Sequence, residues 1–295
     1  RKRMKFRKFL LRKMIPALII AVGGLIAAYP YISNEIDKNR ASSVITSSEK
    51  SISSTSQKKL DEIRRQADKY NSELVNRVGV LHDPFDTDVI KKAPKGYESQ
   101  LSVNGSPVMG EIVIPQIDVK LPIYHGTSQT VLEAGCGHLE GTSLPVGGKS
   151  TNSVITGHTG LRNKKLFTDL ELLSVGDVFY IRVLGERLCY RVCEINVVLP
   201  GDTGKLSIRD GEDLCTLVTC TPYGVNDHRL LVTGKRCSDN AVSETTTKKR
   251  RTSQWMREYE TCIIIGLFLS LLLVVTDRII RNKNGRKKKK SRDSA

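Results

Sequence analysis

No segment of 20–50 residues recurs along this chain, which excludes a stacked-repeat solenoid. No stretch gathers the clustered carboxylates of a calcium site. The seven cysteines show no even framework, so no disulfide pattern is legible from their spacing. The middle of the chain also lacks net charge. Of the net +16, residues 1–13 supply +8 (eight Lys/Arg, no acid) and residues 277–295 supply +7 (nine Lys/Arg, two Asp), which leaves +1 for residues 14–276. A nucleic-acid partner is therefore not indicated. Each basic tail abuts an apolar segment, the arrangement of cytoplasmic membrane flanks.

The first apolar segment, MIPALIIAVGGLIAAYPYI, covers 14–32 and has 19 residues without a charge, close to the ~20 that cross a bilayer core. Because it runs on through Tyr31 and Ile32 it reads as an uncleaved anchor. The alternative is a cleaved signal peptide, with Ala27 and Ala28 as the small residues of the cleavage site. The chain begins with Arg1, so its start is expected to be processed or trimmed. The second segment, CIIIGLFLSLLLVVT at 262–276, is extended by Tyr259 and by Ile279–Ile280 to a tilted span over 259–280, with Trp255 and Tyr259 as interfacial aromatics. Two crossings leave both termini cytoplasmic and residues 33–258 outside.

Between the spans, the Ser-rich stretch 42–56 reads as a linker or loose helix start. Leu60, Ile63, Ala67, Tyr70, Leu74 and Val78 then mark an amphipathic helix by steps of three and four, ending near Gly79. From about 99 to 236 the pattern changes to short β-branched alternations cut by Gly, Pro and Asp: MGEIVIPQIDVKLPIYHG, TNSVITGH, DVFYIRVL, LCYRVCEINVVLP, LCTLVTC and RLLVTGKR. With one small helix near 164–172, these predict an all-β barrel or sandwich. A polar linker, 237–258, follows. Cys189 and Cys193 share one face of a predicted strand, and Cys215 ends a loop. Cys136, Cys189 and Cys193 read as small buried hydrophobes.

Chemistry converges on TLVTCTPYGVNDHRLLVTG, 216–234. Cys220 stands where a strand runs out, beside Pro222–Tyr223–Gly224, and Arg229 opens the next strand. A thiol needs a partner to favour its thiolate. Among His82, His125, His138, His158 and His228, His158 also ends a strand-like run. His138 in GCGHLEG is the runner-up by spacing, and His228 points away if Arg229 faces the thiol. Arg229 is either a solvated strand-end charge or a donor to a carbonyl oxygen that becomes negative during acyl transfer. DPF, Asp83–Pro84–Phe85, reads by itself as an ordinary turn.

TLVTC followed by an arginine strand resembles the signature of sortases, the cysteine transpeptidases of Gram-positive cell surfaces. EIVIPQIDVKLPIYHGTS, GHLEGTSLPVGGKSTNSVITGHTGL, LFTDLELLSVGDVFYI and TLVTCTPYGVNDHRLLVTGKR, with the two spans and DPF, are similar to the class C, pilus-assembling branch over nearly all of 55–236. The resemblance implies a closed eight-stranded β-barrel at 99–236 behind an extracellular helical and lid region at 33–98. It implies Cys220 as nucleophile, His158 as acid/base, Arg229 as oxyanion and orienting group, and no metal or cofactor. The implied partners are pilin subunits that carry a Leu-Pro-x-Thr-Gly-like sorting signal and a nucleophilic lysine. Asp83 would pair with Arg229, and Phe85, where many relatives carry Trp, would pack on the Cys220 sulfur. As an exposed ion pair worth about 0–1 kcal/mol, the Asp83 contact would let the lid move. A hydrolytic cysteine peptidase on the same barrel and a non-catalytic surface scaffold are the alternatives. The number of cysteines departs from the family pattern and raises the expectation of an accessory disulfide.

Overall fold

The alternating runs become strands because each β-branched segment can bury one face against the others. In the computed structural model, which describes residues 2–74, 81–86, 96–160, 164–238 and 254–290, eight strands close into a barrel. In chain order they are β1 (Val108–Ile114), β2 (Val119–His125), β3 (Cys136–His138), β4 (Thr151–Thr156), β5 (Val178–Val183), β6 (Glu186–Val198), β7 (Asp213–Thr221) and β8 (His228–Cys237). Their order around the barrel is β1-β2-β3-β4-β7-β8-β6-β5. The β2–β3 and β4–β7 pairs are parallel. Closure leaves no unpaired edge. The interior is filled by alternate residues of the strands, among them Ile112 and Ile114, Phe179 and Ile181, Tyr190 and Val192, Leu217, and Val232.

β3 falls in the GCGHLEG stretch and is not among the alternating runs of the sequence. It has only three residues, too few for an alternation to show, and its pairing demands glycine: a Cβ on Gly137 would lie 2.2 Å from the Gly126 carbonyl oxygen. The short helix α3 (Gln129–Ala134), capped by Ser128, leads into it.

Two helices precede the barrel, α1 (Lys2–Ser53) and α2 (Gln57–Leu74). The Ser-rich linker is thus mostly helix. Ala41, Ile45 and Ser48, at helical spacing, are buried, α1 packs on β1 and β2, and this packing outweighs the indifferent propensity of serine. α2 buries Leu60, Ala67, Tyr70, Asn71 and Leu74, as its spacing predicts. Val78 and Gly79 lie outside the described residues. Asn71 docks the helix by accepting from Leu144 N (2.7 Å) and donating to Leu144 O (3.2 Å).

The cysteines depart most from expectation. Cys189 and Cys237 are register partners on β6 and β8 and form a disulfide. Cys189 is therefore buried but not a free thiol. Cys193 lies at a bulge between Val192 and Glu194 and is exposed rather than buried. Cys215 lies inside β7, fully buried, and not at a loop end.

The apolar stretch 14–32 lies within α1, where Leu18, Leu25 and Ile26 are largely exposed. A separate unit, 252–295, contains α4 (Gln254–Lys290). Among the described residues, one segment, Tyr259–Thr276, with mean hydropathy 2.2, is long and apolar enough to cross a membrane.

Candidate active site

The β7–β8 ladder sets Cys220 opposite Arg229 and Thr221 opposite His228. Since side chains alternate across a strand, Leu217 and Val232 fill the barrel while Val218, Cys220, Arg229 and Leu231 share its outer face. On that face Leu139, Val154, Leu206, Val218 and Leu231 form a second apolar cluster, against which Leu81, Phe85 and Val198 pack. Thiol and guanidinium thus stand side by side at a strand end, where burial gives way to partial exposure.

His158 arrives from β4. Thr156 is the register partner of Val218, and the same register carried two residues further sets His158 level with Cys220. Gly157 N donates to Val218 O (3.1 Å), and Thr219 Oγ1 donates to Gly157 O (2.7 Å), which fixes the chain just past the strand. Glycine is required there, because a Cβ would meet the Phe167 ring at 2.8 Å.

A turn upstream of the barrel completes the site. Asp83, Pro84, Phe85 and Asp86 form it, with Asp86 N donating to Asp83 O at 3.1 Å. Proline at its second position pre-sets the backbone. The Asp83 carboxylate accepts from Arg229 Nε (2.9 Å) and Nη2 (2.6 Å), while Nη1 donates to the carbonyls of Asn226 (3.1 Å) and His228 (3.0 Å). The pair is not exposed as expected. The two side chains retain only 11% and 10% of their surface, because Phe85 closes over them. The Phe85 ring lies 5.5 Å from the His158 ring and 5.1 Å from the Arg229 guanidinium carbon, so it contacts both groups that flank the thiol. Thr203 Oγ1 donates to Leu81 O and ties the segment to the β6–β7 loop.

Electrostatics follow from this cover. Burial pushes the Cys220 thiol above its ordinary pKa, Arg229 partly offsets it, and Asp83 adds to it. Burial also holds His158 below the ordinary histidine value, with a smaller opposing contribution from Glu133. His158 Nε2 is buried and has no hydrogen-bond partner among the described residues. The cover therefore favours the neutral form of both the thiol and the imidazole.

Three of the other histidines are engaged elsewhere. His138, the runner-up, is fully buried between the Tyr97 hydroxyl (2.8 Å from Nδ1) and the Ser143 carbonyl (2.8 Å from Nε2). Its pKa is lowered to about 4 by burial. His125 Nε2 is 2.7 Å from Gln100 O, and His228 is paired with Asp227. Glu133 was not singled out from the sequence; it sits on a six-residue helix whose pattern is too short to read.

Residues 112–237 match the sortase domain family. The chain is 32% identical over 149 residues to sortase A of Staphylococcus aureus, covering 48% of this chain and 70% of that protein. It is 31% identical over 126 residues to sortase A of Streptococcus agalactiae, where it spans about half, 51%, of the relative's length and 42% of its own. Among solved structures, sortase C-1 of Actinomyces oris is 48% identical, with a TM-score of 0.58, over 61% of this chain and 99% of that one. The pilus-related sortase C of Group B Streptococcus is 44% identical, with a TM-score of 0.60, over 65% and 96%.

Proposed function

Because the chain belongs to the sortase family, we propose that it is a membrane-anchored cysteine transpeptidase in which Cys220 is the nucleophile, His158 the acid/base and Arg229 the oxyanion and orienting group. The observation that carries the assignment is the cross-strand pairing of Cys220 with Arg229 on one face.

His158 takes the thiol proton as Sγ attacks the threonine carbonyl of a Leu-Pro-x-Thr-Gly-like signal. The oxygen becomes negative and faces the guanidinium, whose planar donors stabilise it. The C–N bond breaks, His158 returns its proton to the glycine nitrogen, and a thioester remains on Cys220. A lysine amine then attacks the thioester, gives a proton to His158, and displaces the sulfur as an isopeptide forms. The acyl bond energy is retained throughout, and no metal or cofactor is required by this chemistry.

The closed turn is a lid. Asp83 occupies the Nε–Nη2 edge of Arg229, the same edge a substrate carbonyl needs. Opening the lid frees that edge and rehydrates Cys220 and His158, which relaxes both pKa shifts. The likeness to pilus-related sortase C structures supports pilin subunits as substrates and acceptors. The exposed apolar side chains of α1 within 14–32 support a first span, which with the span in α4 makes the enzyme two-pass with cytoplasmic basic tails. The Cys189–Cys237 disulfide supports a barrel outside the cell, in an oxidising compartment.

The test is incubation of the full chain with a sorting-signal peptide and a lysine-bearing acceptor, followed by mass spectrometry. Wild type gives an acyl adduct and an amine-capped product, and Cys220→Ala gives neither. An adduct on Cys220→Ala removes the nucleophile assignment. A free carboxylate with no capped product at high amine makes the enzyme a hydrolase.

A further inference from the structure

The barrel order β4-β7-β8 puts Cys220 on the middle strand of three. Arg229 lies on one flank by direct register, and His158 on the other just past β4. In the proposed reaction the carbonyl oxygen turns to Arg229. Both amines, the one that leaves and the one that arrives, therefore pass over His158. The side chains that border this flank are those an acceptor amine meets.

Two side chains outside the catalytic set border it. Tyr223 follows Cys220 on the connection from β7 to β8, and its ring leans on the chain just past His158. A Cβ on Gly160 would stand 3.5 Å from Cε2 and 3.7 Å from Cδ2 of that ring. Gly160 is held in place by its N–H, which donates to Thr168 Oγ1 (3.1 Å). Glu133 comes from the opposite side. β3 and β4 are antiparallel, with Gly137 opposite Thr156 and His138 opposite Ile155. Carried two residues further, that register sets Gly135 level with His158, and Glu133 stands in the last turn of α3 just beyond. Its field is felt at His158.

The Glu133 carboxylate accepts from Gln129 Nε2 (2.7 Å) and has no lysine or arginine partner among the described residues. Lys164 does not neutralise it, because its ammonium is directed to the Glu133 backbone carbonyl (2.6 Å) and to Asp37 (3.9 Å). Both side chains stay at the surface while the lid is closed: Tyr223 is 41% exposed, and Glu133 is exposed. An aromatic face, an unpaired carboxylate and an imidazole whose Nε2 has no partner among the described residues fit one chemical class, a primary alkylammonium. The carboxylate attracts its charge, the ring face holds that charge without a counter-ion, and the imidazole takes a proton from it. Water, being uncharged, gains far less from either the ring or the carboxylate.

We propose that Tyr223 and Glu133 form the acceptor site, which receives the lysine side chain of the incoming subunit as its ammonium and favours it over water. The proposal rests on the reading of Cys220, His158 and Arg229 as the catalytic set. The ammonium passes Glu133, settles against the Tyr223 ring and gives one proton to His158 as it becomes the attacking amine. The C–N bond forms at the thioester carbon, the C–S bond breaks, and the second proton goes with the sulfur as the thiol re-forms.

The experiment uses the full chain in detergent, wild type and the lid-opened Asp83→Ala, Phe85→Ala variant, with a sorting-signal peptide as donor. Two acceptors are compared at neutral pH: Nα-acetyl-lysine amide, a cation, and hydroxylamine, which is uncharged. Mass spectrometry reads the ratio of amine-capped product to free carboxylate. That ratio is set after the thioester has formed, so it does not depend on how fast the donor binds. Tyr223→Leu and Glu133→Gln should each lower the ratio for acetyl-lysine amide about threefold or more, and change that for hydroxylamine less than about 1.5-fold. Tyr223→Phe, which keeps the ring, should retain the wild-type ratio. Equal falls for both acceptors would make Tyr223 a support of its loop and overturn the site. A ratio for acetyl-lysine amide unmoved by either substitution overturns it as well. If neither the wild-type nor the lid-opened chain forms a thioester, the catalytic reading falls and the acceptor site with it, whereas a thioester with an insensitive ratio sinks the acceptor site alone.

Discussion

Asp83 and Arg229, 146 residues apart in sequence, meet in a two-point clamp in which both carboxylate oxygens take donors from one edge of the guanidinium. The clamp ties a turn upstream of the barrel to the strand that faces the thiol.

Breaking the clamp should uncover the thiol. A charge-assisted hydrogen bond contributes about 1.5–3 kcal/mol, so Asp83→Ala with Phe85→Ala should speed alkylation of Cys220 about tenfold or more at neutral pH. Asp83 and burial both raise the thiol pKa while Arg229 lowers it. The pH midpoint of labelling should therefore move down in the double variant. Rates and midpoints equal to wild type would mean that the segment does not cover Cys220.

Arg229→Lys keeps the charge and loses the planar fork. Loss of one oxyanion donor is worth about 10²–10³ in rate, and a fall of that order is expected in kcat/KM for a quenched sorting-signal peptide. Turnover near wild type would reduce Arg229 to a bystander.

His138 should make the barrel acid-sensitive. Its folded pKa is about 4 against an ordinary 6.5. Between these values the unfolded chain binds a proton that the folded one does not, so this contribution falls as pH drops from 6.5 to 4 and is level above and below. The full shift amounts to about 3 kcal/mol. Melting of the full chain in detergent, compared with His138→Gln across that window, reads the difference. Parallel pH dependences for the two proteins would exclude the role.

The disulfide closes a sequence separation of 48 residues that contains both Cys220 and Arg229. A crosslink of this kind contributes roughly 2–4 kcal/mol, so Cys237→Ser should lower the melting temperature by about 5–15 °C. An unchanged melting curve would show that β6 and β8 are held by their ladder alone.

Strands β1, β2 and β4 to β8 were legible because β-branched alternation and barrel burial coincide in them. β3 was not, since three residues around Gly137 carry no period. The extension of α1 to Ser53 was hidden because serine says little about helix, and the burial of Ala41 and Ile45 on the barrel decides the matter. The Cys189–Cys237 pair depends on a register that a bulge has shifted by one residue, which spacing alone does not reveal. Cys220 and Arg229 were readable as flanks of one turn. The burial of the Asp83 pair was not, because it arises from Phe85 and Leu81 folding back over a distant strand.

The connection from Pro222 to Asp227 lies between two strands that are each held from elsewhere: β7 by β4, and β8 by β6 and a covalent link at its far end. Changes in that loop can accordingly leave Cys220 and Arg229 opposite each other on the ladder, while Asn226, whose carbonyl accepts from Arg229 Nη1, lets the loop adjust how the guanidinium is aimed. Loop length can therefore vary while the backbone register of the two residues is inherited unchanged.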